Sequence, residues 1–285
     1  MTTVTPARMT TFTPVAGNHV HSYRHSVPTL AAIGFLAYYV VSMCHEVLGH
    51  GVAFYMLGAH HFVLTSTTMD SSDTLAAFAP GTLGYRFICA AGSLSTILLG
   101  ILLYPLLILA LRKQANITLR IFLWLLVAVG IFHGFCYIIF SGLAGVGDWK
   151  EVIAFWPHQT LLRILEVVFG TLICTSVVRF FAALFSTLPE SLTRIALVPY
   201  ASATLIDCLV GLRIPNGTYL MLISVLPASL MGQAILLFVT PVARRLRKES
   251  APEEVVPTSA TALFFAALFI VIIFLTAPGV RFLMP

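Results

Sequence analysis

The feature that most constrains this chain is a series of seven apolar runs, each roughly as long as the 20 residues that a helix needs to cross a bilayer. The 285 residues are 59% hydrophobic and only 9% charged, with a mean hydropathy of +0.96, unlike an average soluble domain. We therefore predict an all-α, polytopic membrane protein with about seven transmembrane helices. These helices are expected to begin near Pro28, Leu83, Ile117, Thr160, Leu192, Tyr219 and Ala260.

The distribution of polar and basic residues predicts domain organisation and orientation. Residues 1–26 are polar and are predicted to form a disordered tail, whereas residues 27–285 are predicted to form one integral membrane domain. The first apolar run continues past signal-peptide length, so we expect it to remain as an anchor. With seven spans, eleven of the sixteen Lys and Arg residues fall on the N-terminal side. Because basic residues favour the cytoplasmic side, we predict a cytoplasmic N-terminus in a bacterial inner (plasma) membrane.

A polar motif, CHEVLGHG at residues 44–51, interrupts the first apolar run. In the zinc motif HExxH the histidines are four residues apart, about 40° apart around a helix, and share one ion. Here His45 and His50 are five apart, about 140° on a regular helix. A π-bulge closes i to i+5 and would bring both onto one face, and Gly49 lowers the cost of that distortion. Because ionisable groups inside a bilayer are costly and usually functional, we predict a metal site on a π-distorted helix.

Two resemblances support this interpretation. HEVLGH is similar to the hexapeptide form HExxGH of the dipeptidyl peptidase III family, in which both histidines bind zinc. The membrane setting resembles the site-2 protease family of intramembrane zinc metallopeptidases, which carry HExxH on a transmembrane helix. That family continues with a segment that reads roughly G-P-x-x-N, and AAGSLSTILLG at residues 90–100 matches it at Gly92, with Ser93 and Thr96 in place of the proline and asparagine. The resemblance covers about residues 27–155, which it implies to be the metallopeptidase core.

The resemblance implies a role for each residue of the motif. His45 and His50 would be ligands of Zn²⁺, and Glu46 would be the catalytic general base. Ser93 and Thr96 would hold the substrate backbone or the oxyanion, although hydrogen bonds to carbonyls of their own helix are the alternative for these hydroxyls.

A catalytic zinc site usually has three protein ligands and one open position, so a third ligand must come from another segment. Asp148 lies on the same side of the membrane as the motif, and the site-2 protease pattern takes an aspartate about a hundred residues after it. We therefore predict Asp148 as third ligand; its alternative role is a helix N-cap. His133 is the alternative third ligand, and Glu166 and Asp207 are weaker candidates. All map to one half of the membrane, as expected for residues around a shared hydrated cavity.

These residues predict a zinc-dependent peptidase that acts on a membrane-protein or peptide substrate, with the lipid bilayer as its other partner and no nucleic acid. Two alternatives stay open: a membrane carrier or channel that passes protons or metal ions, and a protease-like protein that has lost catalysis. Residues 58–81, rich in Thr and Ser, are predicted to form a hairpin or loop that covers the site.

Overall fold

The structure, a computed structural model, describes residues 22–214, 217–247 and 253–285. Helices dominate it, and only short strands lie between them. In chain order the elements are β1 (Ser22–His25), α1 (Val27–Met56), β2 (His61–Leu64), β3 (Met69–Ser71), α2 (Leu83–Arg112), α3 (Ile117–Ala144), α4 (Asp148–Val152), α5 (Gln159–Ser186), α6 (Leu192–Gly211), α7 (Gly217–Leu246), β4 (Glu253–Val256), α8 (Ala260–Thr276) and β5 (Val280–Leu283).

Six helices, α1, α2, α3, α5, α6 and α7, are long and apolar enough to cross a bilayer, and α8 is a shorter apolar helix of 17 residues. The prediction of an all-α polytopic membrane protein is confirmed. The small sheets indicate that α8 is the seventh crossing. Strand β1 pairs with β4, whereas β2 pairs with β3 and β5. Because α1 separates β1 from β2, these sheets mark opposite ends of the bundle, and α8 must run from one end to the other.

Helix α3 lies at the centre of the bundle and is the most buried of the long helices. It packs against α1, α2, α5 and α7. At the β1 end of the bundle its Trp124 is fully buried and stacks near Phe185 of α5, with ring centroids 4.3 Å apart. Leu30 of α1 and Leu107 of α2 fill the same end and are fully buried. Apolar side chains therefore fill much of this half of the bundle, and the residues of the CHEVLGHG motif lie in the other half.

The predicted disordered tail is wrong at its C-terminal end. Ser22–His25 form a strand that pairs in parallel with Glu253–Val256. His25 is fully buried, and its Nδ1 lies 2.7 Å from a carboxylate oxygen of Glu190. A strand pairing and a buried imidazole–carboxylate contact thus order the residues just before α1. Residues 1–21 of the predicted tail lie outside the described residues.

The predicted hairpin after the first span is present as β2 and β3. The strands are antiparallel, with Leu64 opposite Met69, and β5 pairs with the other edge of β2. Asp73 holds the start of β2, because its Oδ2 accepts hydrogen bonds from the backbone N–H groups of His60 and His61 at 2.7 and 2.9 Å. This small sheet packs over the second half of α1, where the side chain of Met69 lies against Gly51.

Candidate metal centre

The second half of α1 contains a π-helix over Cys44–Gly51, as the spacing of the two histidines predicts. In the wider turn of a π-helix, residues five apart lie above one another. The Nε2 atoms of His45 and His50 are accordingly 3.2 Å apart. The wider π-helical turn accommodates the extra residue of the motif, so both imidazoles lie on the same face of the helix.

Helix α2 packs directly on this π-helical segment. A Cβ at Gly49 would lie 2.5 Å from the Cα of Gly92, so the two backbones approach more closely than any larger residue would allow. The hydroxyl of Ser95 donates a hydrogen bond of 2.9 Å to the carbonyl of Cys44, where the π-helix begins. Gly49 thus has two roles. It lowers the cost of the π-helical distortion, as the sequence predicts, and it allows α2 to pack closely on α1.

Asp148 reaches the two histidines from the first position of α4. Its Oδ2 lies 2.9 Å from Nε2 of His45 and 3.4 Å from Nε2 of His50. The alternative role as an N-cap does not hold, because the cap position of α4 is Gly147 and Asp148 is its first residue. Burial opposes ionisation of Asp148, but the imidazoles of His50 and His45 outweigh it and hold the pKa of this carboxyl well below its usual range. Asp148 is therefore a carboxylate at neutral pH.

The spacing of these three atoms fits a zinc ion. In a tetrahedral site with ligand distances of about 2.0–2.1 Å, ligand atoms are about 3.3–3.4 Å apart. The observed separations of 2.9, 3.2 and 3.4 Å are close to that value. The Nδ1 of His50 lies 2.8 Å from the carbonyl oxygen of Ile88, to which it can donate. This bond fixes the ring and leaves Nε2 free as a ligand, as is usual around metal-bound histidines.

Gly92 leaves the space that such an ion requires. A Cβ at this position would lie 2.5 Å from Nε2 of His45 and 2.7 Å from Nε2 of His50. A methyl group would therefore occupy the region between the two ligand nitrogens. Together with the donor set of two imidazoles and one carboxylate, a combination known from catalytic zinc sites, this opening makes the residues suited to hold the metal.

Glu46 lies beside the three candidate ligands and is held by the hairpin. Its Oε2 accepts a hydrogen bond of 2.9 Å from the backbone N–H of Met69 in β3. Ligand atoms of His45, Glu46 and His50 all lie within 4.8 Å of one another. Asp148 makes the shorter contacts with both imidazoles and is therefore the better candidate for a third ligand, which would leave Glu46 beside the ion.

The two predicted substrate-binding hydroxyls lie elsewhere. Ser93 and Thr96 are fully buried, and neither lines the cavity at the site. The Ser93 hydroxyl accepts a hydrogen bond of 3.0 Å from Nε1 of Trp149, and the Thr96 hydroxyl donates to the carbonyl of Ser93 in its own helix at 2.9 Å. Ser93 thereby helps to position the residue after Asp148, and neither hydroxyl reaches the space where a substrate would lie.

The alternative ligand His133 lies next to the site but outside the ligand set. Its ring centroid is 5.6 Å from that of His45. Its Nδ1 faces α7, where a Cβ at Gly232 would be only 2.2 Å away. Of the weaker candidates, Asp207 lines the cavity near Tyr38, whereas Glu166 is buried away from it.

A cavity of about 410 Å³ joins these groups at the β2 end of the bundle. One side carries His45, Glu46, His50 and Asp148 together with the start of β3. The opposite side is formed by the end of α6 and the first part of α7. The predicted shared cavity is thus present, although Glu166, which the sequence places in the same half of the membrane, does not line it.

Comparison with protein-family models, with curated proteins and with solved structures finds no match for this chain. The functional argument therefore depends on the geometry of the site. Three contributors to that geometry are absent from the sequence prediction: the N–H of Met69, the carbonyl of Ile88 and the opening at Gly92. The first two are backbone groups, so the identity of the residue carries no signal for them. For Gly92 the only signal in the sequence is its match to the glycine of the G-P-x-x-N segment.

Proposed function

We propose that this protein is an intramembrane zinc metallopeptidase that hydrolyses peptide bonds of membrane-associated substrates. The observation that carries the proposal is the convergence of His45 Nε2, His50 Nε2 and Asp148 Oδ2, with separations of 2.9 to 3.4 Å, beside the carboxylate of Glu46. The similarity of HEVLGH to the zinc-binding HExxGH motif and the membrane setting of site-2 proteases support the same conclusion.

Each side chain has a defined part in this reaction. A zinc ion held by His45, His50 and Asp148 would supply a water of pKa about 7 and a Lewis acid for the substrate carbonyl. Glu46 takes a proton from the attacking water as the water oxygen bonds to the amide carbon. Glu46 then gives this proton to the leaving nitrogen as the C–N bond breaks. The products are a carboxylic acid and an amine, and Glu46 returns to its ionised form.

The environment of the site favours a substrate that lies in or beside the membrane. The cavity is set within the half of the bundle next to β2, and its far wall includes the apolar side chains of Ile214, Leu220 and Val225. The distribution of basic residues favours a cytoplasmic N-terminus, and in that orientation the site would open towards the outer face of a bacterial inner membrane. The substrate would be an unwound stretch of a membrane protein or an apolar peptide.

The carrier or channel alternative is less well supported by the packing. Such a function requires a polar path through both halves of the membrane. At the β1 end, apolar side chains such as Leu30, Leu107 and Trp124 are fully buried, and the buried polar pair His25 and Glu190 does not line the cavity. The lining of the cavity among the described residues therefore does not continue to that end, which fits a hydrolytic site better than a transport path.

Removal of the metal tests the proposal. The protein is placed in lipid nanodiscs with a pool of fluorescence-quenched apolar peptides, and cleavage is followed with 1,10-phenanthroline or with its non-chelating 1,7-isomer. Because a catalytic metal contributes several kcal/mol to the transition state, we expect the chelator to lower the rate at least about a hundredfold. Added Zn²⁺ should restore the rate. Cleavage that is insensitive to the chelator would contradict the proposal, and zinc-replete protein that cleaves no peptide would favour a non-catalytic function.

A further inference from the structure

The cavity extends well beyond the candidate ligands and reaches Asp207 on α6. From the metal centre it passes His133 and Tyr137 of α3 and then Tyr38 of α1. Neighbouring rings along this wall are 5.6 Å apart for His45 and His133 and 6.2 Å apart for His133 and Tyr38. A group bound at Asp207 would therefore lie in the same cavity as the metal centre, with the rings of His133 and Tyr38 between them.

Asp207 lacks a cationic partner among the described residues. The Tyr38 hydroxyl donates to its Oδ2 over 3.4 Å, which is long for a hydrogen bond, and the hydroxyl of Ser229 on α7 is a second neutral polar neighbour. No Lys, Arg or His in the described ranges forms an ion pair with it. Arg213, which follows on the same side of the membrane, lies instead over the ring of Phe274 on α8, 5.4 Å from its centroid. The carboxyl group thus faces the cavity without a neutralising charge from the protein.

The charges around the cavity favour a positively charged occupant. Four carboxyl side chains, Glu46, Asp70, Asp148 and Asp207, line it, whereas its lining contains neither Lys nor Arg. A divalent ion at the metal centre would offset Asp148 and Glu46. Asp70 lies exposed on β3, so the half-buried Asp207 is the remaining carboxyl group of this lining that has no ion-pair partner among the described residues.

The walls around Asp207 are suited to the stem of a long side chain. Ile214, Leu220, Val225 and Ala228 supply apolar surface to the same cavity that Asp207 lines. Lysine and arginine side chains place an aliphatic stem on apolar surface and carry a charge at the tip. The hydroxyl of Ser224 is a further polar group at this end.

We propose that the Asp207 end of the cavity is a specificity pocket for a cationic group of the substrate, an ammonium or guanidinium carried by a residue near the cleaved bond. This inference rests on the proposed peptidase function and adds a substrate class to it. The competing role for Asp207 is purely structural, a tie between α6 and α1 through Tyr38. The two roles differ in what they require, because a tie needs only a hydrogen-bond acceptor, whereas recognition of a cation needs the negative charge.

A cleavage profile separates these roles. Peptides of one apolar sequence carry lysine, its neutral isostere norleucine or glutamate at each position flanking the cleaved bond, and cleavage is quantified by mass spectrometry. We expect the wild type to prefer lysine to norleucine at one position by about ten- to a hundredfold in kcat/KM, the range for one hydrogen bond to a charged group. Asp207→Asn should abolish the preference, Asp207→Lys should shift it towards glutamate, and Tyr38→Phe should keep it.

The outcomes also separate this inference from the proposed function. Cleavage by the wild type without any preference for lysine would overturn the pocket and leave the peptidase standing. Equal effects of Asp207→Asn and Tyr38→Phe on the profile would favour the structural tie and overturn the pocket as well.

A binding measurement decides the inference even if no peptide is cleaved. Hexylamine and its neutral counterpart 1-hexanol are titrated against the Glu46→Gln protein in nanodiscs, and stabilisation against thermal unfolding is measured. Hexylamine should stabilise the protein more than hexanol, because a ligand that binds only the folded state raises its stability. The concentration for half of this effect should rise at least about tenfold in the Glu46→Gln/Asp207→Asn protein. Equal stabilisation by amine and alcohol would overturn the pocket.

Discussion

Glu46→Gln is expected to retain about one zinc ion per chain and to lower the rate of peptide hydrolysis by about 10²- to 10⁴-fold, the usual contribution of a general base. Glutamine has nearly the size of glutamate, and its amide oxygen can still accept the hydrogen bond that Met69 N–H donates to Glu46 at 2.9 Å. It cannot, however, take a proton from water at neutral pH. The loss should therefore appear in kcat, with the fold and the metal content preserved.

Glu166→Gln is the matched control for this variant. It makes the same substitution at a buried glutamate in α5 that does not line the cavity, and we expect full activity and full zinc content. Zinc is measured by inductively coupled plasma mass spectrometry on the same samples that are assayed for cleavage. Loss of zinc from Glu46→Gln would identify Glu46 as a ligand, and undiminished cleavage would exclude it as the base.

Gly92→Ala is expected to abolish zinc binding although every candidate ligand remains in place. The added methyl group would lie 2.5 and 2.7 Å from Nε2 of His45 and His50, in the space between them. Because a methyl group at these distances would push both ligand nitrogens out of position, the affinity should fall by more than the 10- to 100-fold that loss of an outer-shell partner typically costs. Cleavage should fall with it.

The control for this variant is Gly100→Ala on the same helix. A Cβ there would lie 2.4 Å from Cγ1 of Ile131 on α3, so the helix packing is strained to a similar degree at a distance from the metal centre. We expect Gly100→Ala to lower the thermal stability and to keep zinc. A Gly92→Ala protein with full zinc content would show that the metal is not held by these two imidazoles.

The sequence predicts the positions of the apolar helices well, because the hydropathy of each span is a local property. The predicted starts near Leu83, Ile117, Leu192 and Ala260 coincide with the observed helix starts. The order of Ser22–His25 is missed, since it depends on pairing with residues 253–256, far away in the chain. The pairing of β5 with β2 is missed for the same reason, because neither segment alone shows that the two strands meet.

The candidate site shows the same division between local and long-range information. The i to i+5 spacing of His45 and His50 predicts the π-helix, because only that distortion brings the two rings onto one face. The position of Asp148 follows from topology. Ser93, in contrast, is assigned to substrate by its place in a family segment, whereas the fold turns its hydroxyl towards Trp149. Which way a helical side chain faces depends on how α2 packs, and the family segment alone does not specify that.

The most direct test of the shared metal site is zinc K-edge X-ray absorption on protein purified without a histidine tag, with His19 and His21 replaced by alanine. We expect two imidazole nitrogens and a carboxylate oxygen at about 2.0–2.1 Å from the zinc, and a single imidazole in the His50→Ala protein. The contrary result is a wild-type protein that binds no zinc, or a zinc ion bound to fewer than two imidazoles. In that case His45 and His50 do not share an ion, and the proposed peptidase mechanism fails.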